Sequence, residues 1–196
     1  IARHAQSKGN VDRIYQGKVP GTKLTPEGKK QAKALADSVY SEQLPIQTIY
    51  HSPLMRTTET ARAVADKTGA KLIVDDRLRE VEFGEYEGKH VDFDDLAFIR
   101  ARRAHKFENQ QVESVYHFDG METWSSIEVR CKAFLEEILE RHRGEHIMIV
   151  THADILLNFT HLFTGIDKNK IVHQPYPGLA GHRTFYYDHE TREQMD

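Results

Sequence analysis

Apolar residues in this chain fall into two spacings, and the alternation between them lays out the elements. Ile147 to Thr151 is a short, nearly continuous apolar run, the pattern of a strand covered on both faces, and is expected at the centre of a parallel sheet. Thr48 to His51 is a β-branched and aromatic run that stops at Ser52-Pro53, a strand followed by a turn. Lys71 to Val74 is a further strand, and His182 to Tyr187 is expected to be the last. Ile1 and Ala2 have the character of a strand end, whereas strands commonly run about 5 residues. With no initiator Met, a few residues are expected to precede them.

Helical spacing fills the intervals. Thr25-Pro26-Glu27 reads as N-cap, N1 and N2, followed by an apolar face of Ala32, Leu35, Ala36 and Val39. Ala61, Val64, Ala65 and Thr68 share a face of the next helix, which Gly69 ends. A long helix is expected from about 124 to 142, and another from Ile155 to Phe163, stopped by Gly165. Residues 5 to 24 read as a polar loop. Residues 92 to 123 are the least patterned stretch, an excursion partly helical around 94 to 106. Strands alternating with helices argue for an α/β domain with a mainly parallel sheet, and 196 residues suit one domain, 1–196.

Charge and composition narrow the function. The 27 basic and 30 acidic residues are interspersed, net −3, so nothing points to a nucleic-acid or membrane-surface protein, and any anion binding is local. No apolar stretch approaches the roughly 20 residues that span a bilayer, and no signal peptide is visible, so a cytoplasmic protein is expected. The single Cys131 excludes an intramolecular disulfide and lies at helical spacing with Ile127, Phe134 and Ile138, as a buried thiol would. His142 and His146 have i, i+4 spacing, but Gly144 interrupts the helix needed to aim both at one metal. No metal site and no cofactor are expected; oligomeric state is not legible.

In an open α/β sheet, ligand groups collect beyond the carboxyl ends of the strands. Arg3-His4 follows the first strand, Arg56 the second, Glu80 and Glu82 lie beyond the third, and His152 closes the central one. Each is unremarkable alone: Arg3-His4 has a surface twin at Arg141-His142, Arg56 reads as a helix-surface residue, and Glu80 as a solvated carboxylate. Together, two arginines, two histidines and a carboxylate make a phosphate site with an acid attached.

The motifs around these residues resemble the histidine phosphatase superfamily, the phosphoglycerate mutase-like proteins. Arg3-His4 is similar to the opening motif, and NVDRIYQG carries the following Asn, Arg and Gln-Gly pattern at Asn10, Arg13, Gln16 and Gly17. LTPEGKKQA resembles the opening of the family's first helix, and SPLMRTTETA carries the second phosphate arginine, Arg56. LREVEFGEYEG resembles the proton-donor segment, placing that role on Glu80 rather than Glu82, and VTHAD resembles the second-histidine motif at His152. Ala5, Ala153-Asp154 and Tyr86 depart from the common pattern, and Met121-Glu122-Thr123 only roughly resembles the family's Gly-Glu-Ser.

The resemblance implies a three-layer α/β/α sandwich and a metal-independent phosphomonoesterase acting on a small phosphorylated metabolite. In the implied mechanism neutral His4 attacks phosphorus, while Arg3, Arg56 and protonated His152 hold the equatorial oxygens. Glu80 is the acid and then the base, its pKa raised by the bound phosphate dianion. Asn10, Gln16, Gly17 and Ala153 are the implied further substrate contacts. A phosphoglycerate mutase is the alternative, although mutases of the family are usually longer; a non-catalytic phosphate-binding protein of the same fold is another. The basic cluster Arg100, Arg102, Arg103, His105 and Lys106 reads as a solvated helix face or as a lid for a second anionic group.

Overall fold

The computed structural model describes residues 1–18, 21–90, 120–171, 174–175, 177–188 and 193–195. Its frame is a parallel sheet in the order β1 (Ala2–Arg3), β4 (His146–Thr151), β2 (Ile46–His51) and β3 (Lys71–Val74). Register is set by Ala2 opposite Val150, Tyr50 opposite Ile149 and Ile73 opposite Tyr50. The apolar run 147–151 thus lies inside the sheet, between β1 and β2, as its two-faced pattern predicts.

Alternate residues of the inner strands serve opposite faces. Ile49, Met148 and Val150 pack with Leu35, Ala36 and Val39 of α2 (Pro26–Ser41) and Ala61 and Val64 of α3 (Met55–Thr68). Tyr50 and Ile149 pack on the other side with Ile127, Phe134 and Ile138 of α4 (Trp124–Arg141) and Phe159 of α5 (Ala153–Thr164). These two cores make the three layers. Cys131 lies fully within the second core, where burial pushes its thiol up to about 12, so it packs as an inert apolar group.

Helix boundaries follow local chemistry. Thr25 caps α2, accepting from Gly28 N at 2.9 Å with Pro26 at N1, and Thr123 caps α4, accepting from Ser126 N at 3.1 Å. Gly69 (φ 77°) and Gly165 (φ 65°) end α3 and α5 in the left-handed conformation that costs glycine nothing.

Two expectations are corrected. The polar loop 5–24 contains a one-turn helix, α1 (Lys8–Val11), built by a capping box between Ser7 and Asn10 rather than by apolar spacing. The run His182 to Tyr187 is not one strand. His182 makes a single antiparallel bridge to Ala2, and β5 (Tyr186–Asp188) pairs instead with β6 (Glu193–Met195). A four-residue helix, α6 (Lys168–Ile171), completes the described elements. The excursion 92–123 is described only from 120 onward, and the basic cluster Arg100 to Lys106 lies outside the described residues.

Candidate active site

β1 ends at Arg3, so His4 leaves the sheet at its carboxyl end. The His4 N–H donates to Thr151 O at 2.9 Å, and its carbonyl accepts from Ala180 N at 3.1 Å. The ring is fixed as well, with Nδ1 2.7 Å from Ala5 O. A carbonyl only accepts, so Nδ1 carries the proton and Nε2 keeps its lone pair. Arg56 Nε donates to that Nε2 at 3.2 Å. Burial, then the Arg56 charge, holds the imidazole neutral, its pKa well below the usual range.

Arg56 comes from the first turn of α3 and is 2% exposed. Its Nη2 donates to Gln16 O at 2.7 Å. Burial lowers its pKa to about 10, with Glu80 and Glu87 opposing, so it stays charged at neutral pH. Arg3 Nη1 donates to Pro177 O at 2.8 Å. His152 follows β4 directly and caps α5, and its ring lies 5.2 Å from the His4 ring. Its Nε2 is 2.9 Å from Ser52 Oγ. Three buried atoms, Arg3 Nε, Arg56 Nη1 and His152 Nδ1, have no hydrogen bond among the described residues. Orphaned buried polar groups are costly, and a cluster of them beside a nucleophilic lone pair suits a tetrahedral oxyanion.

His152 departs from expectation. Burial, then Arg56 and His4, depress its pKa well below the usual range, so the site as it stands holds a neutral imidazole. A charge there would have to come with the negative oxygens of a phosphoryl group, which favour the imidazolium.

Glu80 lies between two 3₁₀ turns, Asp76–Leu78 and Gly84–Tyr86. It is buried, and its carboxylate accepts from Val81 N at 3.1 Å and from Ala153 N, in the first turn of α5, at 3.2 Å. Its pKa is pushed up to about 7, first by burial and then by the Asp154 carboxylate, against the pull of Arg56. Burial and Asp154 thus raise it before any phosphate binds, and a bound dianion would act in the same direction. Glu82 points elsewhere, forming an exposed ion pair with Lys18 at 3.1 Å.

The four further substrate contacts expected from the sequence make hydrogen bonds within the protein itself. Asn10 Oδ1 accepts from Ser7 N and Oγ, both at 2.9 Å. The Gln16 amide bonds Ser7 Oγ at 3.3 Å and Thr22 Oγ1 at 3.0 Å, leaving its carbonyl to hold Arg56. Gly17 N donates to Glu87 Oε2 at 3.1 Å, and a Cβ at Gly17 would collide with the Glu87 carboxylate and Val81 O. Ala153 contributes the N–H that holds Glu80.

Sequence reasoning missed three supporting residues. Ser52, read only as a turn residue, contacts His152; Asp154, read as a departure from the family's pattern, tunes Glu80. Glu87 accepts from the N–H groups of Gly17, Lys18 and Phe83, tying the two loops together. Both ring nitrogens of His142 are engaged, by Tyr50 OH and Glu145, each at 2.8 Å. A cavity of about 320 Å³ opens at the opposite, amino end of the strands among Ile46, Ile147, Phe163 and Phe185; His142 and His146 line it, and Arg3, His4, Arg56, Glu80 and His152 do not.

Relatives share this architecture. The chain is 34% identical to Phosphoserine phosphatase 1 of Hydrogenobacter thermophilus over 170 residues, 87% of this chain and 77% of that protein. It is 31% identical to Phosphoglycerate mutase-like protein 4 of Arabidopsis thaliana over 157 residues, 80% of this chain and 66% of that one. The structure of a mycobacterial glucosyl-3-phosphoglycerate phosphatase solved with VO3 superposes with a TM-score of 0.83, covering 99% of this chain and 94% of that one at 22% identity, a likeness of fold. The model of the histidine phosphatase superfamily (branch 1) matches residues 1–194. The chain belongs to that superfamily and is an enzyme of it.

Proposed function

We propose that the chain is a metal-independent phosphatase of small phosphorylated metabolites that works through a phosphohistidine on His4. The observation that carries this reading is the lone pair of His4 Nε2 facing Arg56, beside the unpartnered buried atoms of Arg3, Arg56 and His152. Nε2 attacks phosphorus in line, the P–O bond to the substrate breaks, and Glu80 gives its proton to the departing oxygen. The arginines and His152 stabilise the equatorial oxygens, so the site's own charges do what a metal ion does elsewhere. Ionised Glu80 then takes a proton from water, the water oxygen attacks phosphorus, the P–N bond breaks, and phosphate leaves with His4 neutral again.

The relative named phosphoserine phosphatase makes phosphoserine the first substrate to try. The test is release of phosphate from p-nitrophenyl phosphate and phosphoserine in EDTA. Turnover is expected in the wild type and at least about 10³-fold less in His4→Ala. Loss of activity in EDTA would contradict metal independence. The mutase-like relative gives a second reading, and movement of the phosphoryl group on 3-phosphoglycerate without net release of phosphate would favour it.

A further inference from the structure

Glu80 sits on a stretch with no helix or strand of its own, so its aim depends on what grips the backbone either side. From the β4–α5 side the grip is Thr151 Oγ1 on Leu78 O at 2.8 Å and Ala153 N on the carboxylate at 3.2 Å. From the other side it is one side chain of α4. Arg130 Nη1 donates to Arg77 O at 2.5 Å and to Arg79 O at 2.8 Å. Its Nε and Nη2 form a fork on Glu122, at 2.8 and 2.9 Å. Glu122 closes the bracket, its own N–H donating to Glu82 O at 2.9 Å. Both side chains are largely buried, with 18% and 14% of their surface exposed.

We propose that Arg130, oriented by Glu122, is a positioning residue for the proton-donating Glu80. Arg79 O belongs to the same rigid peptide plane as the Glu80 nitrogen, so fixing that oxygen fixes where the Glu80 side chain begins. Nη1 has two N–H groups and spends both on the carbonyls before Glu80, while the rest of the guanidinium is held planar by the carboxylate. A lysine has no such fork and cannot hold the acid pair and two carbonyls at once. This proposal rests on Glu80 being the acid.

The test separates aim from stability by the leaving group. p-Nitrophenolate departs without a proton, whereas the alkoxide from glycerol 2-phosphate needs one, so kcat/KM for the two esters isolates the acid. Glu80→Gln is expected to lose about 10²-fold or more on the alkyl ester and only a few-fold on the aryl ester. Arg130→Gln and Arg130→Lys are expected to show the same selectivity at smaller size, about tenfold or more on the alkyl ester. Equal losses on both esters, or none, in the Arg130 variants while Glu80→Gln stays selective would overturn the proposal. Equal losses in Glu80→Gln itself would overturn the assignment of the acid instead. Should the Arg130 variants not fold, Glu122→Gln decides: a selective loss supports the bracket, and an unselective one overturns it.

Discussion

At His4 one backbone carbonyl decides the chemistry. Ala5 O takes the Nδ1 proton, so the nucleophilic nitrogen is chosen before any substrate arrives, and burial keeps the ring neutral. With Glu80 at about 7, kcat/KM for an alkyl phosphate should fall about tenfold per pH unit once Glu80 is mostly ionised. His4 adds no acid limb until well below its ordinary range, so the limb near pH 6 should track the substrate's own ionisation, at about 6. A profile flat from pH 6 to about 9 would contradict the role given to Glu80. Asp154→Asn should move the alkaline limb about 0.5–1 unit lower, because a negative charge that raises Glu80 is removed. Arg3, His4, Arg56, Glu80 and His152 could be singled out because each lies at or beyond the carboxyl end of a strand and in a motif that resembles the family's, and the resemblance alone chose Glu80 over Glu82. Ser52, Asp154 and Arg130 could not, since each acts through contacts between elements that no spacing in the chain records.

Elements announced themselves where backbone chemistry is local. Thr25, Gly69 and Gly165 marked helix ends because a cap needs only a few consecutive residues, and the alternating faces of β2 and β4 followed from burial on both sides. The one-turn α1 has no apolar periodicity to read because a capping box builds it, and the 78–88 segment has none because its order comes from side chains bonding distant backbone. Glu87 is the clearest case: its carboxylate holds Gly17, Lys18 and Phe83, and the carbonyl of neighbouring Gln16 supports Arg56. Glu87→Ala should lower Tm by about 5–10 °C. It should also raise KM for phosphate monoesters more than it lowers kcat, as Arg56 loses its support. A thermal melt with steady-state kinetics checks both, and unchanged KM would contradict the loop's role.

Across the whole molecule, the parallel sheet sends its strand ends, and so the charged groups, to one edge, and two apolar cores hold that edge in shape. Keeping Glu80 there has a pH-dependent cost. Its pKa is higher folded than in the unfolded chain, where it is about 4.3. Between that value and about 7 the folded state binds more protons, so stability falls as pH rises through this window and stays lower above it. Glu80→Gln removes the ionisation, so its Tm relative to the wild type should be higher at pH 8 than at pH 5, by about 3 °C or more. A pH-independent difference would mean that Glu80 is not buried as an acid.

The most direct test of the account is capture of the phosphorylated enzyme by rapid quench with a radiolabelled phosphate monoester, under conditions that preserve acid-labile phosphoramidates. The account predicts label on Nε2 of His4 in the wild type, formed within a single turnover, and none in His4→Ala. Label persisting in His4→Ala, or wild-type turnover with no labelled histidine, would contradict it.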